Sequence, residues 1–214
     1  MSIRKTPLVT GETYHIYNRG IDKRTIFEKK LDYKRFLDSI LELNTENPSG
    51  GLFHKHILEK KGINKNLENN KPIELIAYCL NPNHFHLIVK QLSDNGISKF
   101  MHRLGTGYTQ YFNNQNDRTG SLFQGKFKSK HIDTNEYLFY LSAYVNLNDQ
   151  IHKINNEHGA TFSSLEEYTK NIDGVCEKNI ILDQYNGKQG YAKFLDDSLP
   201  ELIRQKEQSA DLEE

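Results

Sequence analysis

Cysteine is nearly missing from this chain of 214 residues: Cys79 and Cys176 are the only two. Two thiols cannot build a disulfide framework, and neither belongs to a Cys-x-x-Cys pair, so cysteine-based zinc or dithiol redox chemistry is excluded. A long apolar run is missing as well. No stretch reaches the ~20 residues that a membrane span requires, and the opening "MSIRKTPLVTGETYHIYNRG" lacks the apolar block of a secretory signal. The expectation is a cytoplasmic protein that does not engage a membrane. Net charge is the third absence: 28 Lys and Arg cancel 28 Asp and Glu, so overall charge selects no partner.

The distribution of charge says more. Between Lys99 and His131 there are six basic residues (Lys99, Arg103, Arg118, Lys126, Lys128, Lys130) and one acid, Asp117, interleaved with Tyr108, Tyr111, Phe112, Phe123 and Phe127. Cations for phosphates and flat rings for unstacked bases are what a single-stranded nucleic acid needs. From Leu195 onward the sign reverses, with seven acids against two bases, and this reads as a solvated tail.

Apolar periodicity orders the elements. Residues 12–20, "ETYHIYNRG", read as a strand ending in a turn, and 31–44 as an amphipathic helix with Leu31, Phe36, Leu37, Ile40 and Leu41 in one buried stripe. Residues 52–59 read as a further strand, and the polar, Asn-rich stretch that follows as a loop. Segments 73–81 and 84–91 are strands joined by a tight Asn-Pro-Asn turn, hence antiparallel neighbours. A helix over 96–116 is expected to start at a Ser98 cap, 122–132 is extended, and a helix over 133–148 begins with Asp133-x-x-Glu136 as a capping box. Three short helical pieces follow, near 163–170, 176–184 and 188–196. The order predicts an α+β fold: a ferredoxin-like antiparallel sheet with helices on one face, in a domain of residues 1–152, plus a small C-terminal helical extension with an acidic tail over 153–214.

In "NPNHFHLIVK" (81–90), alternation along a strand points His84 and His86 to one face and Phe85, Leu87 and Val89 to the other. Such a pair can hold a metal, but His-x-His alone reads first as structural, and His54 and His56 repeat the spacing without support. On the helix over 133–148, Leu138, Leu141 and Val145 form the buried stripe, while Tyr140, Tyr144 and Asn148 form a second row at i, i+4, i+8. Spacing alone allows a tyrosine and a carboxamide at one site, and equally a packed Tyr144 with Asn148 ending the helix.

"AYCLNPNHFHLIVKQ" resembles the signature of the single-tyrosine HUH-class transposases, in particular their REP-associated tyrosine transposase-like branch. "FMHRLGTGYTQYFN", "RTGSLFQGKFKSKHID" and "EYLFYLSAYVNLN" are similar to that family's successive segments, in the same order, and "FSSLEEY" to the serine-rich element after the domain. The resemblance spans residues 12–196. It implies that His84, His86 and Asn148 ligate a divalent metal, Mg2+ or Mn2+, and that Tyr144 is the nucleophile. Imidazole and oxygen ligands with open positions suit either ion, which would polarise a scissile phosphate. A phenol with an ordinary pKa of ~10 needs help to attack. The product would be a 5′-phosphotyrosine and a free 3′-hydroxyl, and a second 3′-hydroxyl can reverse the step onto another strand. The implied activity is cleavage and strand transfer of single-stranded DNA at hairpin or repeat sequences, by a monomer or homodimer. Arg19, Lys23, Arg24, Arg103, Arg118, Gln124, Lys126, Lys128 and Lys130 are the candidate DNA contacts. A hairpin-binding protein without activity, or a metal-dependent hydrolase using activated water, are the alternatives.

The chain departs from the family in three places. Asp149 stands where a proline usually follows the Asn, and Asn81 where Met usually precedes "PNH", a change expected to be peripheral. The stretch 46–72 is longer than expected and reads as an insertion or loop.

Overall fold

The computed structural model describes residues 7–46, 70–154, 162–170 and 172–208. The expected strand at 52–59 and most of the 46–72 insertion lie outside these residues. The described elements are β1 (Thr13–Arg19), α1 (Lys30–Leu43), β2 (Ile73–Asn81), β3 (His84–Gln91), α2 (Gly96–Gln115), β4 (Lys128–Ile132), α3 (Asn135–Asn146), α4 (Asn148–Ile151), α5 (Leu165–Thr169), α6 (Asn179–Leu182) and α7 (Lys188–Gln208). The strands form one antiparallel sheet in the order β2-β3-β1-β4. This is the α+β, ferredoxin-like arrangement expected from the strand and helix order.

Alternation assigns the two faces. Tyr14 and Ile16 of β1 and Phe85, Leu87 and Val89 of β3 are buried on one side, where Phe36 of α1 meets Phe85 at 5.1 Å between ring centroids. Phe27, Phe36 and Tyr108 of α2 complete this aromatic core. Helices α1 and α2 therefore cover that face, while α3 leans on the other, with the Tyr144 ring against His86, so helices lie on both faces of the sheet rather than on one as expected. Two glycines permit close approach: a Cβ on Gly20 would collide with the Arg24 carbonyl, and one on Gly96 with the Pro72 carbonyl.

Several local expectations are corrected. In α1 the buried stripe is Tyr33, Phe36 and Ile40, whereas Leu31 and Leu41 are each 59% exposed. Each lies five residues from Phe36, which is about 140° round the helix at ~100° per residue. Helix α2 starts at Gly96 after Asn95 in a left-handed conformation, so Ser98 lies inside the first turn and is not the cap. The cap of α3 is Thr134, whose hydroxyl accepts from the Tyr137 amide at 3.1 Å, rather than Asp133. The helix expected over 133–148 breaks at Leu147, and Asn148 opens the separate turn α4. The last helix runs on to Gln208, past Pro200.

The segment after α4 is built into the sheet. The Leu80 amide donates to Phe162 O (2.8 Å), the Ser164 amide to Tyr78 O (3.0 Å), and the Glu177 amide to Leu75 O (2.8 Å), so residues 162–164 run along the outer side of β2. Among the described residues no helix is long and apolar enough to cross a membrane.

Candidate metal and tyrosine site

Three turns gather at one end of the sheet. The Gly20 amide donates to Asn83 O, the Ile21 amide to Leu122 O, the Gln124 amide to Arg19 O, and the Ile26 and Phe27 amides to Pro82 O. "NRG", "NPNH" and "LFQG" are thereby fastened together. Register then decides which side chains share the face under α3. Arg19 pairs with His84, Tyr17 with His86, Asn81 with His84, Cys79 with His86, and Lys128 and Lys130 with Tyr17 and His15.

On that face His84 and His86 stand 5.0 Å apart between ring centroids. Each ring has its Nδ1 occupied. His84 Nδ1 lies 2.6 Å from Asn83 Oδ1, so it donates and its Nε2 carries the lone pair. His86 Nδ1 lies 2.9 Å from Nε2 of His15, and the two rings stack at 5.1 Å. If His86 donates in this pair, its Nε2 also becomes a lone-pair ligand. Burial, then Lys130, pulls the His15 pKa down to about 4. Burial, then His15, His84, His152 and Arg19, pulls that of His86 well below the usual imidazole value. Both rings are neutral at neutral pH, which is the ligating form.

Asn148 is fully buried, its Nδ2 makes no hydrogen bond among the described residues, and its Oδ1 accepts from Asn81 Nδ2 at 2.6 Å. The same Nδ2 lies 2.8 Å from His84 Nε2. Asn81, 2% exposed, is thus central where the sequence reading made it peripheral. The tight Pro82-Asn83 turn places it directly across from His84. Among the described residues no group of three or more His, Cys, Asp or Glu is arranged for a metal. The set that converges is two imidazoles and a carboxamide oxygen, donors able to hold a divalent cation with coordination positions left open.

Tyr144 meets His86 edge to face at 5.9 Å, and its hydroxyl is 3.2 Å from His152 Nε2. The structure therefore brings His84, His86, Tyr144 and Asn148 to one place. His15 and His152 were not singled out in the sequence. The first reaches His86 only through the pairing of strands distant in the chain, and the second only because α4 turns back after the break at Leu147.

A buried polar network holds the tyrosine helix. Asn146 Nδ2 donates to the Tyr191 hydroxyl (3.0 Å), Tyr191 donates to Ser142 Oγ (2.9 Å), and Ser164 Oγ donates to Asn146 Oδ1 (2.6 Å). Tyr140 donates to Gln205 Oε1 of α7 at 2.6 Å. Asn146 sits between Tyr144 and Asn148 in the chain, so α7 and the serine-rich segment fix both.

The candidate DNA contacts divide. Lys128 and Lys130 are exposed on the site face, their ammonium groups over Tyr17 (5.9 Å) and Tyr137 (4.7 Å). Arg19 shares that face, and Lys23, Arg24 and Gln124 are exposed or partly so at the same end of the sheet. Arg103 instead donates to Thr45 O (2.7 Å) and Glu46 O (3.1 Å) beyond α1. Arg118 is held in its turn by Asn113 Oδ1 (2.5 Å) and Ser121 O (2.9 Å). Lys126 lines a groove of about 740 Å³ with Phe36, Phe85 and Thr106. That groove belongs to the face covered by α1 and α2.

Residues 50–148 match the family model described as "Transposase IS200 like". Among solved structures, the chain is similar to a REP-associated tyrosine transposase bound to a REP hairpin, with a TM-score of 0.55 and 15% identity over 78% of this chain and 84% of that one. No curated protein matches the sequence. The family model falls within the stretch over which the motifs carry the resemblance, and the fold is shared with that structure.

Proposed function

We propose that this chain, whose residues 50–148 match the model of the IS200-like transposases, cleaves and rejoins single-stranded DNA with Tyr144 as nucleophile and a divalent metal on His84, His86 and Asn148. The family match supports a transposase role. The observation that supports the finer reading is one tyrosine between two histidines: its ring against His86 of the ligand pair, its hydroxyl on His152.

In this reading the Tyr144 phenol passes its proton to His152 Nε2 as its oxygen attacks the scissile phosphorus. The bond from phosphorus to the 3′ oxygen breaks and that oxygen leaves as a 3′-hydroxyl, taking up a proton. The 5′-phosphate stays on Tyr144, and an incoming 3′-hydroxyl reverses the sequence on another strand. A bound Mg2+ or Mn2+ supplies Lewis-acid stabilisation of the charge on the phosphate oxygens. His15 and Asn83 orient the two ligand rings. Arg19, Lys128 and Lys130 offer cations beside the site, and Tyr17 and Tyr137 offer rings for bases. The similar transposase is bound to a REP hairpin, so hairpin DNA is the first substrate to try.

The test incubates wild type and Tyr144→Phe with Mn2+ and single-stranded hairpins, followed by denaturing electrophoresis and mass spectrometry. The expected result is a covalent adduct on Tyr144, absent in the variant, with hairpin binding retained. Cleavage by both proteins without adduct would replace the reading with a hydrolase. Binding by both with neither cleavage nor adduct would replace it with a hairpin-binding protein.

A further inference from the structure

The Asn81 carboxamide stands between two of the atoms proposed to hold the metal. Its Nδ2 lies 2.8 Å from His84 Nε2 and 2.6 Å from Asn148 Oδ1, and so donates to both. A cation bound to those two atoms must lie where this NH2 group now directs its positive hydrogens. Either Asn81 moves aside or its carboxamide turns over. Moving aside is hindered, because the residue is 2% exposed and anchored at the end of β2 by its pairing with His84.

We propose that Asn81 is a fourth protein ligand of the metal, its carboxamide turning about the Cβ–Cγ bond so that Oδ1 takes the place of Nδ2. The inference rests on the metal reading above. The nitrogen and oxygen of a carboxamide are nearly equal in size, so a half-turn exchanges them without displacing backbone or neighbours. Distances of 2.6 and 2.8 Å are close to the ~3.0 Å separating adjacent ligand atoms around a six-coordinate cation with bonds of ~2.1 Å. Little is lost in the turn. Among the described residues Oδ1 accepts only from the Cys79 thiol, at 3.4 Å, a weak bond whose sulfur can accept weakly from the NH2 instead.

Two consequences follow. Before metal binds, Asn81 acts as a neutral stand-in for the cation and keeps His84 Nε2 and Asn148 Oδ1 converged. After binding, two imidazoles and two carboxamide oxygens ligate without contributing charge, so the cation keeps its full Lewis acidity for phosphate. The added hard oxygen favours Mg2+ and Mn2+ over softer ions.

The test is Mn2+ titration of the full chain, followed by calorimetry and by the electron paramagnetic resonance signal of free Mn2+, without DNA. Asn81→Leu, which keeps the branching at Cγ but carries no polar atom, is expected to weaken Mn2+ binding about tenfold or more, with unchanged circular dichroism. Asn81→Asp is expected to tighten it, because a carboxylate can ligate but cannot donate to Asn148 Oδ1. Equal affinity in wild type and a folded Asn81→Leu overturns the proposal and leaves the metal reading standing. Should Asn81→Leu misfold, failure of Asn81→Asp to bind more tightly overturns it as well. A wild type that binds no Mn2+ overturns the metal reading, and this proposal with it.

Discussion

The Tyr144 hydroxyl lies 3.2 Å from Nε2 of His152, two turns further along a chain that breaks at Leu147 between them. A phenol at ordinary pKa is mostly protonated at neutral pH, so this imidazole is the group positioned to take its proton. His152→Gln is expected to slow adduct formation about 100-fold. Single-turnover rates check this; an undiminished rate would leave His152 without a role in the proton transfer.

His15 orients His86 through one hydrogen bond. His15→Phe keeps a ring in the stack but removes the hydrogen-bond partner of His86 Nδ1. It is expected to weaken Mn2+ affinity about tenfold to a hundredfold while leaving His84 in place. Calorimetry on the folded variant measures it, and undiminished affinity would assign the His15 ring to packing alone.

The same burial makes the metal-free protein acid-sensitive. With a folded pKa of about 4 against 6.5 unfolded, His15 binds fewer protons in the folded state between those values. The stability from keeping it neutral is fully present above pH 6.5 and is lost progressively as pH falls toward 4. At pH 5.5 the loss from His15 is about 1 kcal/mol. Urea unfolding in chelator at pH 7.5 and 5.5 should show it, with a smaller difference in His15→Phe.

Asn146, Tyr191, Ser142 and Ser164 satisfy one another out of water. Asn146→Ala removes the donor to the buried Tyr191 hydroxyl and the acceptor of Ser164 Oγ, at a cost of about 1–3 kcal/mol. Because Asn146 flanks Tyr144 and Asn148, adduct formation should fall further than hairpin affinity. Denaturant unfolding together with adduct yield distinguishes this from uniform loss of folded protein.

The lysines and arginines separate by salt dependence. Lys128→Ala with Lys130→Ala should reduce the slope of log affinity against log salt by about 1.4, or ~0.7 for each single-strand phosphate released. Arg103→Ala, whose guanidinium is occupied by the Thr45 and Glu46 carbonyls, should leave the slope unchanged. The opposite result would move the DNA path to the other face.

Much of this could be read from sequence where a local rule decides. The bounds of β2 and β3 coincide with the apolar runs 73–81 and 84–91 because a two-residue turn leaves no freedom of register. The shared face of His84 and His86 follows from alternation. Helix caps differ from expectation by one to three residues because Ser98 competes with Asn95, and Asp133 with Thr134, as caps of similar strength. Leu31 and Leu41 were misassigned because leucines five apart from Phe36 look periodic in text but sit off the stripe. His15 and His152 carry no local signal and Asn81 reads as peripheral, because each joins the site through strand register, a helix break or a turn. The continuation of α7 past Pro200 is likewise tertiary: Tyr140 and the Ile151 carbonyl engage Gln205 and Lys206 beyond it.

The pairing of residues 162–164 along β2 has a consequence for association between copies. A sheet has two borders where unpaired backbone invites another strand, and here the β2 border is already taken by the chain itself. What remains among the described residues is β4, only five residues long, with lysines at alternate positions. Short length and repeated positive charge discourage strand addition by a second copy. The same lysines thus keep the last open border closed to protein while leaving the face beside it accessible to a polyanion.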